Sequence, residues 1–341
     1  MKKITILLIF LIATSTYSQN FDSAISYLDF VAEQQEGITK KMWRYTKAIA
    51  HGRSDRNVES KRKSLLKTLD RAISKIRKAS GYQDNVFKDQ LLKRLQFNKD
   101  LLNNEYAKII DMKAVAEQSY DAMEAYMLAQ ELADKKMEEI QEEYEANYYA
   151  FAAKHNINII ESESDLGKKM AISNEVFGYY KKMYLIYFKV YINEVYLMDA
   201  LNNKDINAIQ QNANALSESA KEGLEILNAV ENYKNDKSVM MATKKAFEFF
   251  IDEADNKVNI LTDFLVLNED LEKAQATLEK TPQRKRTKEQ IDSYNAMVKD
   301  FNKAVKQYNK TNVDLNKRRE SIINSLNIVN QKFLDKHIPN D

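Results

Sequence analysis

Apolar side chains recur at helical spacing along almost the whole chain, and no segment shows the apolar–polar alternation of a half-buried strand. Only six glycines and two prolines occur among 341 residues, of which 30% are charged. Because these two residue types most often end helices, their scarcity favours long helices. The sequence therefore predicts an all-α fold, an elongated multi-helix bundle of long antiparallel helices with a coiled-coil-like C-terminal helix.

The C-terminal helix carries the most regular pattern, a seam with 3,4 spacing over about 45 residues. Eleven of its thirteen positions are apolar. The seam consists of Ile291, Tyr294, Val298, Phe301, Val305, Tyr308, Asn312, Leu315, Arg319, Ile322, Leu326, Val329 and Phe333. Two interpretations of Asn312 and Arg319 are open: these polar residues select one pairing of the helix at a cost in stability, or the seam is partly exposed there and nothing depends on them.

Helix ends are predicted from residues that satisfy free backbone groups. The expected residues are Gly52 and Gly81 after helices, Asp84 and Asp205 before helices, and the capping pairs Ser162–Asp165 and Thr287–Gln290. No stop signal divides residues 239–278, so one helix is expected there. We expect residues 19–341 to form a single elongated bundle; a division into sub-parts 19–160 and 161–341 would place a hinge near 156–164.

The N-terminus has the three-part layout of a secretory signal peptide. Lys2 and Lys3 precede an apolar run of about ten residues, and small residues follow up to Ser18. Such a signal directs export to the periplasm or the cell surface, and cleavage after Ser18 would leave Gln19 at the mature N-terminus. The run is shorter than the roughly 20 residues of a membrane-spanning helix, and so is the next most apolar stretch, residues 183–192. We therefore expect no transmembrane span in the mature chain.

Charge and cysteine content exclude several classes of function. Removal of residues 1–18 lowers the formal net charge from +2 to zero, so the mature chain has no global attraction for nucleic acid. The chain contains no cysteine, which excludes disulfides, thiolate metal ligands and cysteine nucleophiles.

Two segments carry strong and opposite charge. Residues 53–78 contain ten basic side chains against three acidic ones, and residues 117–145 contain ten acidic against two basic. One interpretation places these helices side by side in an antiparallel bundle. The alternatives are a basic surface for lipid headgroups or an anionic polymer, which would give peripheral membrane contact, and two unrelated solvated faces.

Three segments resemble a family of bacterial surface proteins that is labelled after a leptospiral member and recurs in gliding-type Gram-negative bacteria. The segments are Asp121–Tyr126, Phe151–Asn158 and Tyr184–Lys189. The likeness covers roughly residues 25–270 and leaves out the seam helix. The family has no assigned activity, so the resemblance implies export and a helical fold and transfers no functional residue.

A stripe of four tyrosines follows helical spacing in the middle of the chain: Tyr180, Tyr184, Tyr187 and Tyr191. Such rings could line a groove for a sugar, a peptide or an apolar ligand, because tyrosine combines a flat face with a hydroxyl. The same spacing is typical of a core, and core is the favoured interpretation. Gly178 beside the stripe is expected to permit close approach of a second helix.

The remaining candidates are His155 and Asn156 at the expected end of a long helix. The imidazole could bond the last free carbonyls, or contact a ligand or partner. None of the three histidines follows a glutamate by three residues, and the chain contains no zinc-protease, nucleophile-elbow or phosphate-loop motif. We therefore predict no catalytic, cofactor-binding or metal-ligating residue.

These patterns favour a non-enzymatic envelope or surface protein that binds another envelope component or a second copy of itself through its helices. The alternative is a membrane-active protein resembling the long-helix pore-forming toxins. Such a protein needs a hidden hydrophobic tongue, and residues 183–192 are the only candidate.

Overall fold

The computed structural model describes residues 21–52, 54–105, 119–160 and 164–340. Among these residues there is no β-strand, and the predicted all-α bundle is confirmed. The helices are α1 (Ala24–Ala50), α2 (Asp55–Lys78), α3 (Val86–Asp100), α4 (Tyr120–Lys154), α5 (Asp165–Asn203), α6 (Ile206–Ala229), α7 (Ser238–Asp252), α8 (Val258–Lys280) and α9 (Lys288–His337). The expected signal peptide lies outside the described residues.

Two short π-helical segments extend the α-helices. The first, Leu101–Glu105, follows α3, and the second, Glu253–Lys257, joins α7 to α8. The expected single helix over residues 239–278 is therefore interrupted, because the backbone inserts one wider turn at Glu253. Nothing in the apolar spacing signals this turn.

The chain forms two compact units. The described residues of unit 1 are 21–45, 59–105 and 132–160, and those of unit 2 are 46–52, 54–58, 119–131 and 164–340. Unit 1 has an aromatic core in which the rings of Tyr27, Phe87 and Phe151 lie within 4.9–6.1 Å of each other. Each ring comes from a different helix, so this cluster joins α1, α3 and α4.

Unit 2 is built around α5, which packs on α6 and contacts α7 and α9. The seam of α9 is its packed face, since every seam residue except Ile291 is buried or half-buried. Phe264 on α8 contacts the rings of Phe301 and Tyr308, with centroids 5.5 and 4.3 Å away. The coiled-coil pattern is thus used largely within the chain.

Four of the predicted helix ends are confirmed. Gly52 adopts φ +61° after α1, and α2 ends shortly before Gly81. Asp205 accepts from the Ala208 amide at 3.0 Å, and Thr287 and Gln290 form the expected capping box.

Two predicted N-caps are wrong. The N-cap position of α3 is occupied by Asn85 and not by the expected Asp84. The Asp84 side chain accepts a hydrogen bond from the Val86 amide at 3.0 Å. The Asn85 side chain accepts one from the Gly81 amide at 3.3 Å. Before α5 the cap is Ser164, which accepts from the Gly167 amide at 3.0 Å, and not Ser162 with Asp165. Several adjacent polar residues could cap each helix, and the turn geometry selects among them.

Gly178 does not have the expected role. A Cβ added there would have no atom within 4 Å outside its own helix. The close approach occurs at Gly223 on α6, where a Cβ would lie 2.6 Å from the ring of Phe247 on α7. Substitution of Gly223 would force that buried ring to move.

No helix among the described residues has the length and apolarity that a membrane crossing requires. Residues 183–192 lie within α5, where Met183, Tyr187, Phe188, Val190 and Ile192 are buried.

Candidate functional site

The seam residue Arg319 lies between two glutamates in the interior of unit 2. Its Nη2 donates to Glu253 Oε1, and its Nε is in ion-pair contact with Glu194 Oε1, although those two atoms are not aligned for a hydrogen bond. The exposed side-chain fractions are 12% for Arg319, 4% for Glu194 and 0% for Glu253. This buried cluster therefore connects α9, α5 and the π turn after α7.

The π turn begins at Glu253, which lies on the buried face that α7 already presents, and it changes the register of the residues that follow. A π turn inserts one extra residue, so the side chains before and after it no longer follow the register of one α-helix. Asp252 pairs with Arg318 on α9 at 2.8 Å, whereas Asp255, three residues later, pairs with Lys221 on α6 at 3.4 Å. The turn thus directs carboxylates to two neighbouring helices.

Burial raises the pKa of both glutamates in the cluster. For Glu253 the pKa rises to about 7, because burial and the charge of Glu194 outweigh the opposing effect of Arg319. For Glu194 the pKa also rises through burial, again opposed by Arg319. Glu253 Oε2 is buried without a hydrogen-bond partner. One guanidinium balances one carboxylate, so a proton retained on Glu253 keeps the cluster neutral.

The structure brings the two polar seam residues together through a third residue. Arg319 Nη1 donates to Asn316 Oδ1 at 2.5 Å, and Asn316 Nδ2 donates to Asn312 Oδ1 at 3.3 Å. Asn312 and Arg319 are both half-buried. For Arg319 these contacts favour the interpretation as a residue that selects one pairing, because its guanidinium lies against two buried carboxyl groups.

The four tyrosines are part of the packing of unit 2. Tyr187 is buried, and its ring lies parallel to that of Phe247, with centroids 6.5 Å apart. Tyr184 and Tyr191 pack against a small cluster formed by Met123, Phe188 and Ile192. Tyr180 contacts the ring of Tyr184, with centroids 6.1 Å apart.

Burial raises the pKa of the Tyr180 and Tyr187 hydroxyls. The nearby charge of Glu194 contributes at Tyr187, which connects the stripe to the arginine cluster.

His155 and Asn156 end α4 inside unit 1. Asn156 adopts φ +52°, and the Ile157 amide donates to Ala152 O at 2.9 Å, which is a Schellman-type helix end. The His155 ring packs against Tyr82 and Phe151, with centroids 5.1 and 4.5 Å away, and its Nε2 is buried without a partner. Both residues therefore have structural contacts at the end of the helix.

The two convergent carboxyl groups of the cluster do not line a cleft. Of the two best-formed cavities in the described part of the chain, the larger has a volume of about 230 Å³ and lies at the turn between α5 and α6. Several of its polar groups are already paired: Asp205 caps α6, and Asn203 donates to Asp199 at 3.2 Å. No group of three potential metal-ligating side chains occurs among the described residues.

Sequence reasoning missed Glu194, Glu253 and Asn316. Glu194 offered a signal, because it is an acid within the apolar stretch from Tyr187 to Leu197 and lies two turns after Tyr187 on the same face. Glu253 offered one as well, since it lies three residues after Phe250 and seven after Ala246, in register with the buried face of α7. Asn316 lies beside the seam and becomes relevant only once Arg319 is placed.

Comparisons of the whole chain with protein-family models, curated proteins and solved structures give no match.

Replacement of Arg319 tests the cluster. Arg319→Met leaves Glu194 and Glu253 buried without a cation, and we expect the free energy of unfolding to fall by about 3–5 kcal/mol. The matched control is Arg318→Met, which removes the half-exposed ion pair with Asp252 and should cost about 1 kcal/mol or less. Urea unfolding followed by circular dichroism measures both. Equal costs for the two variants would contradict the cluster's structural role.

The raised pKa of Glu253 predicts a loss of stability as the pH rises. The folded protein keeps the proton from about pH 4.5 to about pH 7, a range in which the unfolded chain releases it. Relative to Glu253→Gln, the free energy of unfolding should therefore decrease by about 3 kcal/mol over that range. Glu248→Gln, an exposed substitution on α7, is the control and should show no such trend. A constant difference between wild type and Glu253→Gln would refute the prediction.

Proposed function

We propose that this chain is an exported, non-enzymatic envelope protein that acts by binding through its helix surfaces. The proposed partner is a second copy of the chain or another envelope component. The N-terminal sequence pattern and the resemblance to bacterial surface proteins support export. Glu194 and Glu253 converge in unit 2, and both are in contact with Arg319. This contact supports a structural role for the two carboxyl groups, and not a catalytic one.

The observation that carries this proposal is a pair of oppositely charged faces in unit 1. Lys67, Arg71 and Lys75 follow each other at four-residue spacing on α2, are exposed, and have no acidic partner within 4 Å among the described residues. On α4, the exposed Glu138, Glu139 and Glu142 likewise have no basic partner in the described part of the chain.

These faces do not neutralise each other in the way that the sequence favoured. Within the described residues no ion pair joins α2 to α4; Glu143 on α4 pairs with Lys93 on α3 at 3.1 Å, and Lys99 on α3 pairs with Asp70 on α2 at 2.7 Å. The free charges on α2 and α4 are therefore available to another molecule. Complementary charged faces steer association and select partners.

A second copy of this chain supplies both faces. The basic face of one molecule can meet the acidic face of the other, and in a two-fold dimer this contact occurs twice. The exposed apolar side chains Leu132 and Tyr149 lie on the same acidic helix and add surface that a partner would bury. The pairing should weaken with salt, because exposed charges are screened.

Sedimentation velocity of the chain beginning at Gln19 tests this proposal. We expect reversible self-association at about 0.1 M salt that decreases strongly at about 1 M. The triple variant Lys67→Glu, Arg71→Glu, Lys75→Glu should weaken association at least tenfold, and so should Glu138→Lys, Glu139→Lys, Glu142→Lys. A chain that carries all six substitutions restores complementarity and should associate again.

The control reverses three exposed lysines on α9: Lys299→Glu, Lys303→Glu and Lys306→Glu. This variant has the same change in net charge and should associate like the wild type. A chain that remains monomeric at every concentration and salt would exclude the pairing with a second copy. Equal weakening by the α9 variant would show that net charge, and not the two faces, determines association.

A further inference from the structure

A cationic cavity lies between α1 and α2 in unit 1. Its volume is about 130 Å³, and it is lined by Lys41 and Arg44 from α1 and by Ser60, Lys61 and Ser64 from α2. This is the space of roughly four water molecules, enough for one tetrahedral oxyanion. All five lining residues carry groups that can donate hydrogen bonds.

The antiparallel register of the two helices brings these residues together. A Cβ added to Gly37 on α1 would lie 3.9 Å from Thr68 Cγ2 on α2, which shows that the helices are adjacent there. One turn further along α1 is Lys41, and one turn back along α2 is Ser64. The next turn brings Arg44 to the level of Ser60 and Lys61, so the cavity lies between consecutive turns of two packed helices.

No acidic side chain lines this cavity. The nearest acid in the α2 sequence, Glu59, forms a bidentate ion pair with Arg62 at 2.7 and 2.9 Å, and Arg62 also lowers its pKa. Lys41, Arg44 and Lys61 have no carboxylate within 4 Å among the described residues, and the hydroxyls of Ser60 and Ser64 have no described hydrogen-bond partner. The charge of three cations is therefore uncompensated at this point.

The position of Lys61 is fixed by its neighbour. Arg62 is buried, and its Nη1 donates to Leu102 O at 2.9 Å, which ties this turn of α2 to the end of α3. The sole tryptophan, Trp43, is buried beside Arg44 on α1. The helices that carry the cations are thus anchored by buried side chains beside the cavity, where Arg44 and Ser60 are exposed and Lys41, Lys61 and Ser64 are half-buried.

We propose that the cavity between α1 and α2 binds a phosphate- or sulfate-type oxyanion. The Arg44 guanidinium offers two parallel N–H donors to such a group, the ammonium groups of Lys41 and Lys61 supply charge, and the serine hydroxyls donate to the remaining oxygens. A free oxyanion and the phosphate of an anionic lipid headgroup share this chemistry. This inference does not depend on the proposed self-association, which involves a later part of α2.

Isothermal titration calorimetry and Trp43 fluorescence of the chain beginning at Gln19 test the proposal, with sodium phosphate and sodium sulfate as probes at constant ionic strength. We expect saturable binding that chloride does not reproduce. The variants Arg44→Gln and Lys61→Gln should each weaken it at least tenfold, and Lys41→Gln with Arg44→Gln should abolish it. Arg77→Gln removes one exposed cation from α2 outside both the cavity and the basic face, and should change the affinity less than twofold. Thermal unfolding establishes that each variant is folded.

Sedimentation with phosphatidylglycerol vesicles and with phosphatidylcholine vesicles separates the two sources of the anion. Binding to phosphatidylglycerol that Arg44→Gln weakens and free phosphate displaces identifies a headgroup site. Binding of inorganic phosphate without vesicle binding identifies a free-anion site; both results support the proposal. The proposal is overturned if neither probe binds saturably, or if Arg77→Gln weakens binding as much as Arg44→Gln does.

Discussion

The contact between Arg319 and two buried glutamates is the interaction on which the arrangement of unit 2 depends. Hydrophobic packing along a seam tolerates sliding by a helical turn, because one apolar residue replaces another. A buried ion cluster does not, since a shift would leave charges without partners at a cost of several kcal/mol. The position of Arg319 between Glu194 and Glu253 therefore selects one register of α9 against α5 and α7 from those that the apolar seam alone permits.

The irregular backbone after α7 begins at the cluster. Glu253 continues the register of the buried residues before it and meets Arg319, whereas the π turn changes the register of the residues that follow and presents Asp255 to Lys221. A π turn is less stable than a regular α-helical turn, and the ion pairs on both sides of it offset this loss of stability. With two carboxyl groups and one guanidinium, the cluster is neutral only while one carboxyl group keeps its proton. Unit 2 thus contains a proton-dependent contact at its centre.

The fold class could be predicted from sequence because helical periodicity is local, and the seam of α9 could be predicted for the same reason. The pattern also identified Arg319 as unusual. Its partners could not be predicted, since Glu194 and Glu253 are 125 and 66 residues away in sequence and meet it only through tertiary packing. No ion pair joins the charged helices α2 and α4 among the described residues, because net charge does not specify which side of a helix faces its neighbour. Gly223, and not Gly178, permits the close approach of a second helix. The sequence does not show which glycine faces a neighbouring helix.

The most direct test of this account is the titration of the Glu253 carboxyl group in the folded protein. The ¹³C signal of that group, assigned by its loss in Glu253→Gln, is followed from about pH 4 to about pH 9. A buried carboxyl group that shares one arginine with Glu194 should titrate near pH 7. A midpoint near 4.5, the ordinary value, would contradict the account, because Arg319 would then balance the burial of Glu253 in full and the cluster would need no retained proton.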